Sequence, residues 1–276
     1  MSLAVIVSVL LGISLSEVQQ VSSTPEGKKS SWNGLDRYDF MVDGKDSILV
    51  VPAKPLPGRP WVWRGEFFGA FADADVLLAK NGWHIAYTKV PDLFGSPKAM
   101  AHWEKFYEHM VRKHGLHPKP GLIGLSRGGL YCMGWAALHP EKTLGVYLDN
   151  AVCDFKSWPG GKLKNFGTGN GSAAEWAKVL KAFDFADDAQ AIAYKRNPVD
   201  NLEPLLKGKV PILLVYGDSD KVVPHAENSE KVYDRYKAMG GNVKQIVKPG
   251  QDHHPHGLKD PTPVLEFFTE ALKTNP

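Results

Sequence analysis

The chain has 276 residues, 43% of them hydrophobic and 23% charged, a globular profile that excludes disordered and collagen-like classes. Thirty-three Lys and Arg against 30 Asp and Glu leave a formal charge of +3, too dilute for a surface built to hold phosphate backbones, so nucleic acid is not an expected partner. The only cysteines, Cys132 and Cys153, exclude a disulfide framework or a cysteine-based zinc site, and whether the two meet stays open.

Residues 1–16 contain no charged side chain, and 3–15 are almost wholly apolar. That run is shorter than the roughly 20 residues a bilayer span needs. It fits the apolar core of a secretory signal, with Ser14 and Ser16 as the small residues before a cut after residue 16. The expectation is a secreted or periplasmic protein with a flexible leader over 17–31 and no stable membrane insertion after cleavage.

From residue 32 to 276 the pattern predicts one α/β domain. Strands over 38–42 and 47–51 flank Asp43-Gly44-Lys45-Asp46, a hairpin turn signal. A strand at 60–63, a helix at 71–81 and a strand at 83–90 follow. Met100, Trp103, Phe106, Tyr107 and Met110 mark one face of a helix over 97–114, ended by Gly115. A strand at 121–125 runs into Ser126 and a helix over 128–138, and the unbroken apolar run at 143–148 suits a central buried strand. The alternation then pauses over about 155–204, where a Gly-rich stretch leads to helices at 173–183 and 187–194, a small helical cap over the carboxyl edge of the sheet. A strand at 211–216, a helix at 226–239, a strand at 243–247, a His-rich loop and a helix at 264–273 complete the chain.

Gly124-Leu125-Ser126-Arg127-Gly128 places a G-x-S-x-G at a strand-to-helix junction. Such a turn exposes the serine oxygen at the carboxyl edge of the sheet, and its glycines let strand and helix approach. Together with Gly217-Asp218-Ser219-Asp220 and Asp252-His253-His254-Pro255-His256, it resembles the α/β-hydrolase superfamily. It is most similar to secreted bacterial esterase-like members with a G-L-S-R-G-G elbow and an H-H-P-H loop. The resemblance covers about residues 37–273. It implies an eight-stranded, mostly parallel sheet with helices on both faces and a triad of serine, acid and histidine. The family pattern puts the acid on the last residue of G-x-x-D after the seventh strand, which is Asp220. Asp218 reads otherwise as a turn aspartate, and Asp149 at the end of the sixth strand is a third candidate.

Neighbouring side chains in an extended loop point to opposite sides, so only one of His253 and His254 can face Ser126. His253 is favoured, with His254 second and His256 as a wall residue. The family places glycine before its catalytic histidine; here Asp252 stands there. Consecutive histidines followed by proline are not expected to converge on a metal, and no metal or organic cofactor is implied.

Acyl transfer needs backbone donors for the oxyanion, expected at Arg127, after the nucleophile, and Glu66, in the loop after the third strand, with Phe67 as its neighbour. Arg127 and Glu66 read equally as a surface pair. Trp63, Phe67, Phe68, Phe94 and Trp158 are expected at the same edge, as a substrate platform or as core plugs. His254 and His256 join Trp63, Phe67 and Trp158 as pocket candidates. The expected function is hydrolysis of a small carboxylic ester, such as an acyl group on a carbohydrate, through an acyl-enzyme. A peptidase, a lipase and a non-catalytic binding protein are the alternatives.

Overall fold

The computed structural model describes residues 25–275. Nine strands form one sheet: β1 Lys28–Trp32, β2 Leu35–Val42, β3 Lys45–Val51, β4 Trp61–Arg64, β5 His84–Thr88, β6 Gly121–Leu125, β7 Gly145–Asp149, β8 Ile212–Gly217 and β9 Val243–Lys248. Their spatial order is β1-β2-β3-β5-β4-β6-β7-β8-β9. Every pairing from β5 to β9 is parallel, and β1, β2 and β3 extend that sheet as an antiparallel edge. All eight expected strands are present. The ninth, β1, occupies residues read from sequence as leader, because Lys-Lys-Ser-Ser-Trp carries no apolar alternation and gains its order from the ladder to β2. The expected signal at 1–16 lies outside the described residues.

Local chemistry sets the element ends. Val42 pairs with Lys45 across Asp43 and Gly44, whose φ values of 49° and 70° are those a two-residue hairpin turn requires. Helix α1, Asp73–Lys80, is followed by α2, Pro97–Arg112, where Ser96 caps the amide of Ala99 and Pro97 supplies the fixed φ of a first turn. Helix α3, Gly128–Leu138, runs through the centre of the domain and buries nearly every residue.

The pleat of each central strand sends alternate side chains to opposite faces. Trp61 and Trp63, Leu122, Val146 and Leu148, and Ile212 and Leu214 face α2 and α3, whereas Val62, Ile123, Tyr147 and Leu213 face α1 and the C-terminal helix. Trp63 stacks on Trp103 with centroids 4.0 Å apart and meets Trp135 edge-on, contacts each worth about 0.5–1.5 kcal/mol beyond the area they bury.

The segment over 155–204 holds α4, Ala173–Phe183, and α5, Asp188–Ala193, and α6, Glu203–Lys207, returns the chain to the sheet. Ser172 caps α4 through the amide of Glu175, and the Trp176 indole donates to Asp188 at 2.7 Å to tie α4 to α5. Phe155, Trp176, Phe183, Phe185 and Tyr194 give this segment its own apolar centre. Helices α7, Ser229–Ala238, and α8, Thr262–Thr274, complete the two layers. Among the described residues, no helix is long and apolar enough to cross a membrane. Cys132 and Cys153 are free, buried thiols.

Candidate active site

Five strand ends deliver the site to one edge of the sheet: β4 leads to Glu66, β6 to Ser126, β7 to Asn150, β8 to Asp220 and β9 to His253. Ser126 sits at φ +48°, in the left-handed region that costs a non-glycine residue about 1–2 kcal/mol. Its turn is over-determined. The Ser126 amide donates to Asp149 O at 3.1 Å, and its carbonyl accepts from Val152 at 2.8 Å and Gly129 at 3.0 Å. A Cβ on Gly124 would lie 3.0 Å from the carbonyl of Gly128, so glycine is what lets the strand and α3 close on each other.

Ser126 Oγ lies 3.0 Å from His253 Nε2, and His253 Nδ1 lies 2.7 Å from Asp220 Oδ2. The other carboxylate oxygen of Asp220 accepts from the amides of Val222 and Val223, at 2.9 and 2.8 Å. The amides of Val222 and Val223 thus fix the Asp220 carboxylate, which in turn holds the Nδ1 side of the imidazole and leaves Nε2 facing Ser126 Oγ. Asp218 is a turn aspartate, accepting from Gly250 N at 2.7 Å and Ser219 Oγ at 3.1 Å. Asp149 is fully buried and bonds His256 Nδ1 at 2.9 Å, Tyr147 Oη at 3.0 Å and Gly257 N at 3.0 Å. Asp252 engages the backbone. Its carboxylate accepts from the amides of Lys221 and His253, which hold it below the usual aspartate range.

The amides of Arg127 and Glu66 have no acceptor among the described residues, as donors kept for an oxyanion would be. Gly65 and Gly128 make the approach of the two loops sterically open: a Cβ on Gly65 would stand 2.8 Å from Gly128 O. The side chains of Arg127 and Glu66 do pair, and not at the surface. Burial pushes the Glu66 carboxyl up to about 7 against the pull of Arg127. Burial opposes the charge on Arg127, but Glu66 and Glu175 hold its guanidinium above the ordinary arginine value. Arg127 also bonds Glu175 at 2.8 Å, which joins the elbow to α4.

Sequence reasoning assigned Arg64 no role of its own. Its guanidinium is buried and donates to Asp75 and to Ala70 O, both at 2.5 Å, and to Glu66 O at 3.2 Å. One side chain thus clamps the loop that carries the Glu66 amide. Asn150 is equally silent in sequence, yet it donates to His253 O at 2.8 Å and accepts from Gly217 N at 2.8 Å, fastening the histidine loop to the end of β8.

A cleft of about 410 Å³ opens over Ser126, between Phe67, Phe71, Trp158, Val222, His254 and His256. Phe67, Trp158, His254 and His256 therefore lie where the sequence put them. Trp63 does not. Strand β4 continues through Arg64, and the two-residue period from Trp61 turns Trp63 into the core against Trp103. Phe94 is likewise buried, and Phe68 packs on Trp32 at 5.3 Å. Phe71, read as the start of a helix, instead lines the cleft, exposed and at φ +49°. A second correction concerns the histidines, which do converge. Nitrogens of His253, His254 and His256 lie within 4.8 Å of one another. Burial and its two neighbouring imidazoles lower the His254 pKa.

No protein-family model and no curated protein matches the chain. Its structure is similar to that of a puromycin-hydrolysing peptidase from Mycobacterium tuberculosis, at TM-score 0.64 and 13% identity over 85% of this chain and 38% of that one. An acylaminoacyl peptidase from Pyrococcus horikoshii aligns at TM-score 0.57 and 14% identity, over 86% of this chain and 40% of that one. A bacterial membrane phospholipase A aligns at TM-score 0.51 and 19% identity, over 88% and 87%. The chain spans about two-fifths of the length of the two peptidases. Likeness at this identity speaks to architecture, and it agrees with the parallel sheet and the strand–serine–helix turn: the chain has the α/β-hydrolase fold.

Proposed function

We propose that the protein is a serine hydrolase that cleaves small carboxylic esters through an acyl-enzyme. The observation that carries this reading is the continuous hydrogen-bonded line from Ser126 Oγ through His253 to Asp220, at 3.0 and 2.7 Å. In this reading Ser126 Oγ attacks the ester carbon as its proton passes to His253 Nε2. Asp220 stabilises the imidazolium, and the amides of Arg127 and Glu66 receive the oxyanion. His253 then returns the proton to the departing alcohol, and water repeats the sequence on the acyl-enzyme to release the acid and free Ser126.

Support for an ester over a peptide comes from the cleft. Its aromatic and aliphatic wall suits an acyl group or the face of a sugar ring. The nearby carboxylates Glu66 and Glu175 are both tied to Arg127, so neither is unpaired for a peptide's ammonium group. Most of the similar solved structures are named as peptidases, and the same relay would serve an amide, so peptidase activity is the second reading. Export to the periplasm or beyond is part of the proposal and rests on the uncharged apolar run at 1–16.

The test is labelling with a fluorophosphonate probe, wild type against Ser126→Ala, followed by rates on p-nitrophenyl esters, acetylated sugars and aminoacyl p-nitroanilides. Labelling lost in the variant, with ester turnover well above anilide turnover, is the expected result. Equal labelling of both proteins, or of neither, overturns the hydrolase reading, and faster anilide cleavage replaces the ester with a peptide.

A further inference from the structure

His253, His254 and His256 surround one point. Their ring centroids are 4.9 Å apart in all three pairings, and the rings stand at 72°, 80° and 84° to one another. One nitrogen of each lies within 4.8 Å of the other two. Behind this cluster stand two buried carboxylates, with Asp220 bonded to His253 Nδ1 at 2.7 Å and Asp149 to His256 Nδ1 at 2.9 Å. A carboxylate that holds the Nδ1 proton leaves the lone pair on Nε2 and raises its basicity. This carboxylate–histidine pairing is what orients imidazoles toward a metal ion. His256 Nε2 and both nitrogens of His254 have no hydrogen-bond partner among the described residues. The relay to Ser126 explains His253 and Asp220, but it leaves the second pair, Asp149 and His256, without a task.

We propose that His253, His254 and His256 form a binding site for a divalent cation of the zinc class, and that its occupation switches the serine off. A tetrahedral ion with bonds of about 2.0–2.1 Å needs donor nitrogens about 3.4 Å apart, so nitrogens within 4.8 Å of one another must close by up to about 1.4 Å. His254 is the ring able to move, being exposed at the cleft mouth and stacked only on Phe71 and its histidine neighbours. Two acidic groups back the ligands, and the cations beside them are Lys248, whose Nζ lies 3.6 Å from Asp149, and Arg127, on the wall of the same cleft. Three protein ligands leave a fourth position for solvent. The switch follows from the use of one lone pair: His253 Nε2 either accepts the Ser126 proton or binds the cation. With the cation in place the hydroxyl has no base, and no bond is made or broken in the protein. Inhibition rests on the proposed catalytic role of His253, whereas cation binding does not.

The test is calorimetric titration of the chelator-treated full chain with zinc chloride, alongside the rate of p-nitrophenyl acetate hydrolysis over the same zinc range. Expected are one ion per chain, a half-inhibition concentration that tracks the binding curve, and full recovery in EDTA. His254→Ala, a change at an exposed side chain, should weaken binding by at least about ten-fold and relieve inhibition in parallel. Ser126→Ala removes hydrolysis yet should bind zinc at least as well as wild type, because the competing serine is gone. The proposal falls if no saturable binding occurs, if His254→Ala binds like wild type, or if zinc binds while the rate stays constant. Binding lost in His109→Ala instead would move the ion to the separate group of Glu26, His109 and His114, and this also overturns it. An enzyme inactive on every ester would refute the ester reading and leave the calorimetry to judge the metal site alone.

Discussion

Asp220→Asn isolates the part of the site that determines which imidazole nitrogen carries the proton. One carboxylate oxygen accepts two amides, from Val222 and Val223, and the other accepts His253 Nδ1 at 2.7 Å. In the asparagine variant the amide oxygen must remain with the two backbone donors, which places the NH2 group against Nδ1. An NH2 group cannot accept, so the imidazole moves its proton to Nε2 and presents an N–H, rather than a lone pair, to Ser126 Oγ 3.0 Å away. The side chain keeps its volume and its backbone anchors, so folding should be nearly unaffected. A catalytic serine deprived of its base by a wrong tautomer loses about 10⁴-fold in kcat, or roughly 5.5 kcal/mol of transition-state stabilisation. The assay is kcat on p-nitrophenyl acetate near neutral pH together with the second-order rate of fluorophosphonate labelling, which should fall in parallel. A variant within about ten-fold of wild type on both would refute the tautomer argument. A larger loss in Asp149→Asn than in Asp220→Asn would transfer the acid's role to the other carboxylate–histidine pair.

Three further outcomes follow from the same geometry. Ser126→Gly should unfold about 1 kcal/mol later in urea than Ser126→Ala, because glycine relieves the strain at φ +48° by more than it loses in chain entropy; equal midpoints would show the elbow to be unstrained. In Gly65→Ala the new Cβ would stand 2.8 Å from the Gly128 carbonyl and push the Glu66 amide away from the elbow, so kcat should fall about 100-fold with labelling of Ser126 slowed likewise. Glu66 has a folded pKa of about 7 against an ordinary 4.5, so the folded state holds its proton more tightly than the unfolded one. Stability from this group is therefore greatest below pH 4.5 and falls by about 3 kcal/mol as pH rises to 7. Glu66→Gln should flatten that part of the urea-stability profile, and an unchanged slope would place the carboxyl's pKa near its ordinary value.

The elbow, the order of its partners and nearly every central strand were legible because each is written over a few consecutive residues. Apolar runs define strands, caps such as Ser96 and Ser172 begin helices, and glycines stand where backbone must approach backbone. Burial of the alternating residues in β4, β6, β7 and β8 then brings Ser126, Asp220 and His253 to one edge. Orientation within that edge is not a local property. Trp63 went to the core because β4 extends one residue further and its register is set by β5 and β6. Lys28–Trp32 became a strand only because β2 offered an unpaired ladder. The grip of Arg64 on Asp75 and Ala70, and the second carboxylate–histidine pair of Asp149 and His256, join residues 6 to 107 positions apart. Sequence alone determined which strand ends carry Ser126, Asp220 and His253 to the rim of the sheet, since periodicity and turn chemistry act within a few residues. Only the tertiary structure decided which way they face and whom they meet, since that depends on register and burial among segments distant in the chain.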